Sequence, residues 1–187
     1  ARRGLSGGQC ENFHHRKAST SIPPPTRPPH SSRQHPARTL NYEEPNNLRR
    51  NGRVTKLPIT ADGRAAARIN DPATWSDYAT ATASSVGVGL GFVLGDGLAC
   101  IDLDHCLVDG VPTPAAQAML DRYPSAWVEV SPSGDGLHIW GTASPQPGRR
   151  TINDGLSIEF YSRDRYMTVT GATYRGGGLR EELCRTF

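Results

Sequence analysis

Two aspartates stand two residues apart in the stretch Cys100-Ile101-Asp102-Leu103-Asp104-His105. In a strand, side chains two apart share a face, so Asp102 and Asp104 project together while Ile101 and Leu103 turn to the core. Two carboxylates on one face of an apolar strand repel each other, and burial sharpens the repulsion. A bound divalent cation removes that conflict, and oxygen ligands of this kind suit Mg²⁺ or Mn²⁺. The plainer alternative is a strand end whose acids face water.

A second group lies in Glu129-Val130-Ser131-Pro132-Ser133-Gly134-Asp135-Gly136-Leu137-His138-Ile139-Trp140. A strand runs into a loop of small residues and out into a strand that carries His138. Glycines at 134 and 136 let backbone amides approach a ligand closely, and Ser131 and Ser133 add hydroxyl donors. The loop fits a triphosphate cradle with His138 beside it; a glycine-rich hairpin and a half-buried histidine are the alternatives. A third group is Ile158-Glu159-Phe160-Tyr161. Glu159 sits between apolar strand residues, where an unpaired carboxylate costs several kcal/mol. It needs a cation, and the only lysines, Lys17 and Lys56, lie far off in sequence. A metal shared with Asp102 and Asp104 meets that need. Arg163, Arg165, Tyr166, Thr168 and Thr170 then supply cation, hydroxyl and stacking groups nearby.

The elements that must position these groups can be read from pattern. Residues 54–59 and 86–94 suggest strands, 98–103 is a compact apolar strand, and Gly95-Asp96-Gly97 reads as a hairpin turn between the last two. Asp71 is suited to cap a helix opening at Pro72 and running to about Ala83. A second helix is expected over 113–123, strands over 127–130, 137–141, 156–161 and 166–170, and a short last helix over 178–184. Hairpins alternating with helical crossovers predict an α+β class, or a mixed α/β sheet with helices on one face.

Charge is distributed unevenly. Residues 1–53 hold ten Lys/Arg against three Asp/Glu, about +7, and the remainder hold eleven against fifteen, about −4. The first fifty residues contain Ile22-Pro23-Pro24-Pro25-Thr26-Arg27-Pro28-Pro29 and no periodic apolar pattern, which predicts a disordered basic tail over 1–50 and a folded domain over 51–187. That tail reads as a solvated leader or as an arm that follows a phosphate backbone. Cys10, Cys100, Cys106 and Cys184 follow no paired spacing, so a reducing cytoplasmic setting is expected. No apolar run approaches the roughly 20 residues of a membrane span, and no signal-peptide pattern opens the chain.

Taken in order, Asp102-Leu103-Asp104, Ser131 through His138, and Glu159 resemble the motifs of the archaeo-eukaryotic primase superfamily. The closer likeness is to the bifunctional primase/polymerase N-terminal domain of phages, plasmids and actinobacteria. Gly52-Arg53-Val54-Thr55-Lys56-Leu57-Pro58, Asp71-Pro72-Ala73-Thr74-Trp75 and Arg165-Tyr166-Met167-Thr168-Val169-Thr170-Gly171 resemble that family's opening and closing segments. The resemblance implies a catalytic core with an RRM-like sheet and flanking helices, and two-metal nucleotidyl transfer in replication of a phage, plasmid or mobile element. It implies Asp102, Asp104 and Glu159 as catalytic metal ligands for Mg²⁺ or Mn²⁺. Ser131, Ser133, Gly136 and His138 would bind the incoming nucleoside triphosphate, and Lys56 and Arg165 would contact phosphate or template. The implied partners are single-stranded DNA and a replicative helicase. The strand that usually opens the family domain is expected to be missing, and with no helicase segment after Phe187 the chain reads as a fragment or a reduced copy.

Rival readings use the same residues. Ile101 through Gly110 is similar to the nucleophile loop of haloacid-dehalogenase phosphatases, but Cys106 stands where that family expects threonine and no lysine follows position 56. A metal-dependent nuclease needs the same carboxylates with water as nucleophile. A non-catalytic nucleic-acid-binding remnant of a primase is the reading outside enzymes. A zinc site from Cys100, His105 and Cys106 lacks regular spacing and a fourth ligand.

Overall fold

The structure, a computed structural model, describes residues 38–44, 49–50 and 53–183. In chain order its strands are β1 (Thr39–Glu43), β2 (Arg49–Arg50), β3 (Arg53–Val54), β4 (Leu57–Ile59), β5 (Gly89–Val93), β6 (Leu98–Asp104), β7 (Leu107–Val108) and β8 (Val111–Pro112). These are followed by β9 (Trp127–Val130), β10 (Leu137–Thr142), β11 (Arg149–Asn153), β12 (Leu156–Tyr161), β13 (Tyr166–Val169) and β14 (Thr173–Arg175). Helix α1 (Tyr78–Ala83) precedes β5, and α2 (Pro114–Arg122) lies between β8 and β9. The class is α+β, as expected.

Two sheets carry the architecture: four strands in the order β13-β5-β1-β4, and six in the order β11-β12-β6-β10-β9-β14. Every ladder within them is antiparallel. Numbered from β6, the central strands β12-β6-β10-β9 run fourth, first, third, second, with α2 crossing between the first and second. That is the order of an RRM-type sheet, with β11 in place of its second helix.

Alternation divides the large sheet into two faces. Ile101, Leu103, Val128, Leu137, Ile139, Ile158 and Phe160 form one core with Ala116, Met119 and Leu120 of α2. The opposite face carries Cys100, Trp127 and Trp140, which pack against Leu94 and Met167 next to and within the small sheet. Thr113 caps α2 by accepting from the Ala116 amide, and Pro114 takes the first helical position. Cys100 and Cys106 are buried free thiols, in keeping with their reading as small hydrophobes; Cys10 and Cys184 lie outside the described residues.

Several expectations need correction. The disordered tail over 1–50 is overturned at residues 39–43, which form β1, a strand inside the small sheet with Leu40 fully buried; most of the remaining tail lies outside the described residues. So a strand does precede the Lys56 segment. The helix expected from Pro72 to Ala83 is a short 3₁₀ turn at Pro72–Thr74 capped by Asp71, a break, and then α1. The break occurs because Ser76 exchanges both backbone hydrogen bonds with Thr39 of β1, at 2.7 and 2.9 Å. Gly95-Asp96-Gly97 does turn the chain, but β5 and β6 do not pair: both neighbours of β6 are taken by β10 and β12. Residues 178–183 are not helical either. Their backbone is used to bridge Ala126 and Thr142 as Leu183 enters the core. Residue 184, the end of that expected helix, lies outside the described residues.

Candidate functional site

Antiparallel registry places Glu159 of β12 opposite Asp102 of β6, Asp102 opposite His138 of β10, and His138 opposite Glu129 of β9. Arg150 of β11 stands opposite Glu159. Directly opposed residues share a face, so Arg150, Glu159, Asp102, His138 and Glu129 form one polar row across five strands. It lies on the face opposite α2. Asp104, two residues beyond Asp102, extends the row along β6 and stands opposite Ser157. The motifs that are far apart in sequence therefore meet through strand order and register.

The row is graded in burial. Glu129 is 0% exposed and His138 2%, whereas the side chains of Glu159, Asp102 and Asp104 retain 12, 19 and 24%. Glu129 holds its position through many donors. Its Oε1 lies 3.1 Å from His138 Nδ1 and accepts from Trp140 Nε1 at 3.2 Å; its Oε2 accepts from the amides of Thr170 at 3.0 Å and Gly171 at 3.1 Å. With Nδ1 turned to Glu129, His138 Nε2 faces Asp102, 3.7 Å from Oδ1. Burial alone would lower the imidazole pKa. The Glu129 hydrogen bond and the charges of Asp102 and Glu129 outweigh that and raise it above its ordinary value. Burial likewise pushes the Asp102 carboxyl up; the His138 charge opposes the shift, while the carboxylates of Asp104 and Glu159 add to it.

On the outer half of the row, Arg150 acts as the counter-charge. Its Nε lies 3.2 Å from Glu159 Oε1 and its Nη2 lies 3.9 Å from Asp104 Oδ2. Tyr161 donates its hydroxyl to Glu159 Oε2 at 2.6 Å, and Arg165 lies 4.7 Å over the Tyr161 ring. Burial and the Glu159 bond push the Tyr161 phenol to about 12. The cation that Glu159 was expected to need is thus Arg150, a neighbour that its hairpin partner strand supplies. Lys56 is within electrostatic reach of Asp102 and Asp104. Burial lowers its pKa and Arg165 adds to the effect, against the opposing pull of Glu44, Asp102 and Asp104. Arg165, over the ring of the tyrosine that bonds Glu159, thus lies at the acidic face, and the Lys56 ammonium lies 5.9 Å over the Tyr42 ring.

The Ser131–Gly136 loop adjoins the end of β6. Ser131 Oγ and Ser133 Oγ are 2.9 Å apart, and a Cβ on Gly136 would stand 2.6 Å from Ser131 Oγ and 2.7 Å from Leu103 O. The loop closes on itself through Ser131 N to Gly136 O and Gly134 N to Ser131 O, both 2.9 Å, which leaves those two amides engaged. Thr170, expected to offer a hydroxyl to the site, directs it to Val130 O at 2.7 Å and to Glu129 at 3.2 Å.

Three carboxylates on one face, one of them raised by burial and like charge, are a donor set suited to Mg²⁺ or Mn²⁺. As the side chains stand, no three His, Cys, Asp or Glu among the described residues are drawn together around a common point. Glu159 and Asp104 are instead held by Arg150, Tyr161 and Ser157. Sequence reasoning passed over Glu129 and Arg150. Glu129 had the signal that drew attention to Glu159, a lone acid in an apolar strand; Arg150 had none until β11 was placed beside β12.

A curated relative is named DNA Primase-polymerase, from Nitratiruptor phage NrS-1. It is 38% identical over 141 residues, covering 70% of this chain and 20% of that protein. The chain is related to a phage primase-polymerase. It spans about a fifth of that relative's length. No protein-family model matches the chain.

Proposed function

We propose that this domain is the nucleotidyl-transfer core of a DNA primase-polymerase, joining nucleotides on a single-stranded DNA template in replication of a phage, plasmid or mobile element. The observation that carries the proposal is the in-register row Glu159–Asp102–His138 on one sheet face, in a chain similar to a phage protein of that name. Asp102, Asp104 and Glu159 would hold Mg²⁺ or Mn²⁺, which stabilises charge on the attacking 3′-hydroxyl and the leaving pyrophosphate.

The chain's own residues do the rest. His138, with Nδ1 committed to Glu129, presents Nε2 to a phosphate oxygen entering beside Asp102, and donates to it as the imidazolium that Glu129 and Asp102 favour. Lys56 and Arg165 add positive charge for triphosphate or template, and Ser131, Ser133 and Gly136 line the end of β6 where the triphosphate would lie. Arg150 neutralises Glu159 and Asp104 before substrate arrives. Because template contact rests on cations, it weakens as salt rises.

The test is template-directed synthesis with nucleoside triphosphates and Mn²⁺ or Mg²⁺, comparing the chain with its Asp102→Asn/Asp104→Asn variant. Extended or initiated products are expected, reduced on the order of a thousandfold or more in the variant, as loss of several kcal/mol of transition-state stabilisation requires. A shortened template would point to a nuclease instead, and template binding without product to a binding module.

A further inference from the structure

Glu129 lies outside the three motifs, yet it is the most deeply buried acid of the row and the most heavily hydrogen-bonded. We propose that Glu129 is a positioning residue of the site: it selects the orientation of His138 that turns Nε2 to the Asp102 side, and ties that orientation to the backbone at Thr170 and Gly171. This deepens the proposed function and rests on it for the role of Nε2.

The imidazole could in principle present either nitrogen to Asp102. A carboxylate that already accepts from Trp140 Nε1 and from two backbone amides accepts from the ring as well, so the nitrogen facing it carries the proton. Turning the ring over would leave the Nδ1–H bond to Glu129 unmade in a place closed to water, at the full cost of an unsatisfied buried donor or acceptor. The Trp140 ring, T-shaped to the imidazole with centroids 6.2 Å apart, packs beside it on the same sheet face. Glu129 in turn cannot move without releasing the linker between β13, in the small sheet, and β14, in the large one. The orientation of one phosphate-facing nitrogen is thus coupled to the way the two sheets are joined.

Two measurements test this. The first needs no activity: in ¹⁵N-histidine-labelled wild-type protein, long-range ¹H–¹⁵N correlations assigned with His138→Asn should show neutral His138 with the proton on Nδ1. A proton on Nε2, with Nδ1 bare, overturns the proposal without bearing on whether the domain is a polymerase. The second compares Glu129→Gln with wild type in nucleotide incorporation. A side-chain amide cannot accept from both the ring and the two linker amides. The KM for nucleotide should therefore rise roughly tenfold or more with a smaller change in kcat, and the effect should vanish in a His138→Ala background. Equal losses in both backgrounds overturn the proposal. If Glu129→Gln does not fold, the wild-type tautomer still decides. Absence of synthesis by wild type together with an Nδ1–H ring would reject the polymerase and leave the positioning geometry standing.

Discussion

Arg150 competes for the carboxylates that a divalent cation would need. It is 61% exposed, so its pairs with Glu159 and Asp104 are weak ones, of the kind worth at most about 1 kcal/mol. That is enough to screen the acids and too little to exclude a metal. Arg150→Gln should therefore tighten Mn²⁺ binding roughly two- to fivefold at low salt, with the difference fading at high salt; titration calorimetry on the nucleotide-free protein reads it directly. An unchanged or weakened Mn²⁺ affinity would mean that Arg150 does not compete with the metal. At this scale the sequence named Asp102, Asp104, His138 and Glu159 because acids and a histidine in apolar strands call for explanation one by one. It did not name Arg150, because an arginine in Gly-Arg-Arg-Thr is unremarkable until a neighbouring strand carries an acid opposite to it.

Elements were legible where local chemistry settles them. α2 has a threonine cap and a proline at its first position, β12 shows the alternation of a half-buried strand, and β9 and β10 are short, mostly apolar runs buried on both faces. β11 was not among the expected strands, although Asp154-Gly155, both at positive φ (49° and 79°), is a favoured pair for the tight turn that joins it to β12. The end of the chain had none. Gly141 of β10 lies under the segment that crosses at Glu181 and Leu183, and a Cβ there would stand 2.8 Å from Leu183 Cγ and closer still to the Glu181 carbonyl. Gly141→Ala should lower unfolding free energy by about 1–3 kcal/mol, the usual cost of overpacking. Gly176→Ala, with open space around it, should stay within about 0.5 kcal/mol of wild type. Urea denaturation of the two variants side by side would check that residues 181–183 form part of the folded unit.

At the scale of the molecule, β1 joins β4 to β5 in the small sheet, which also carries β13 and so supports the segment bearing Arg165, Tyr166 and the Thr170–Gly171 amides. Asn41 of β1 bonds the carbonyls of Ala81 and Val86, and Leu40 is fully buried. A chain beginning at Pro45 should be at least about 3 kcal/mol less stable than one beginning at Arg38, from loss of the buried Leu40 and Tyr42 side chains alone. Equal urea midpoints for the two chains would show β1 to be dispensable. Among the described residues, no helix is long and apolar enough to cross a membrane.

The sequence by itself determined the α+β class and most of the strands flanking the polar row, and it singled out Asp102, Asp104, His138 and Glu159, because hydrophobic period, capping residues and isolated polar groups in apolar strands are local signals that each act within a few residues. Only the tertiary structure decided that β5 and β6 part into different sheets, that residues 39–43 make a buried strand, and that Arg150 and Glu129 stand at either end of the polar row. Those outcomes depend on which strand edges remain open once the others have paired. That competition is settled by contacts between segments tens of residues apart, and no short window of sequence records it.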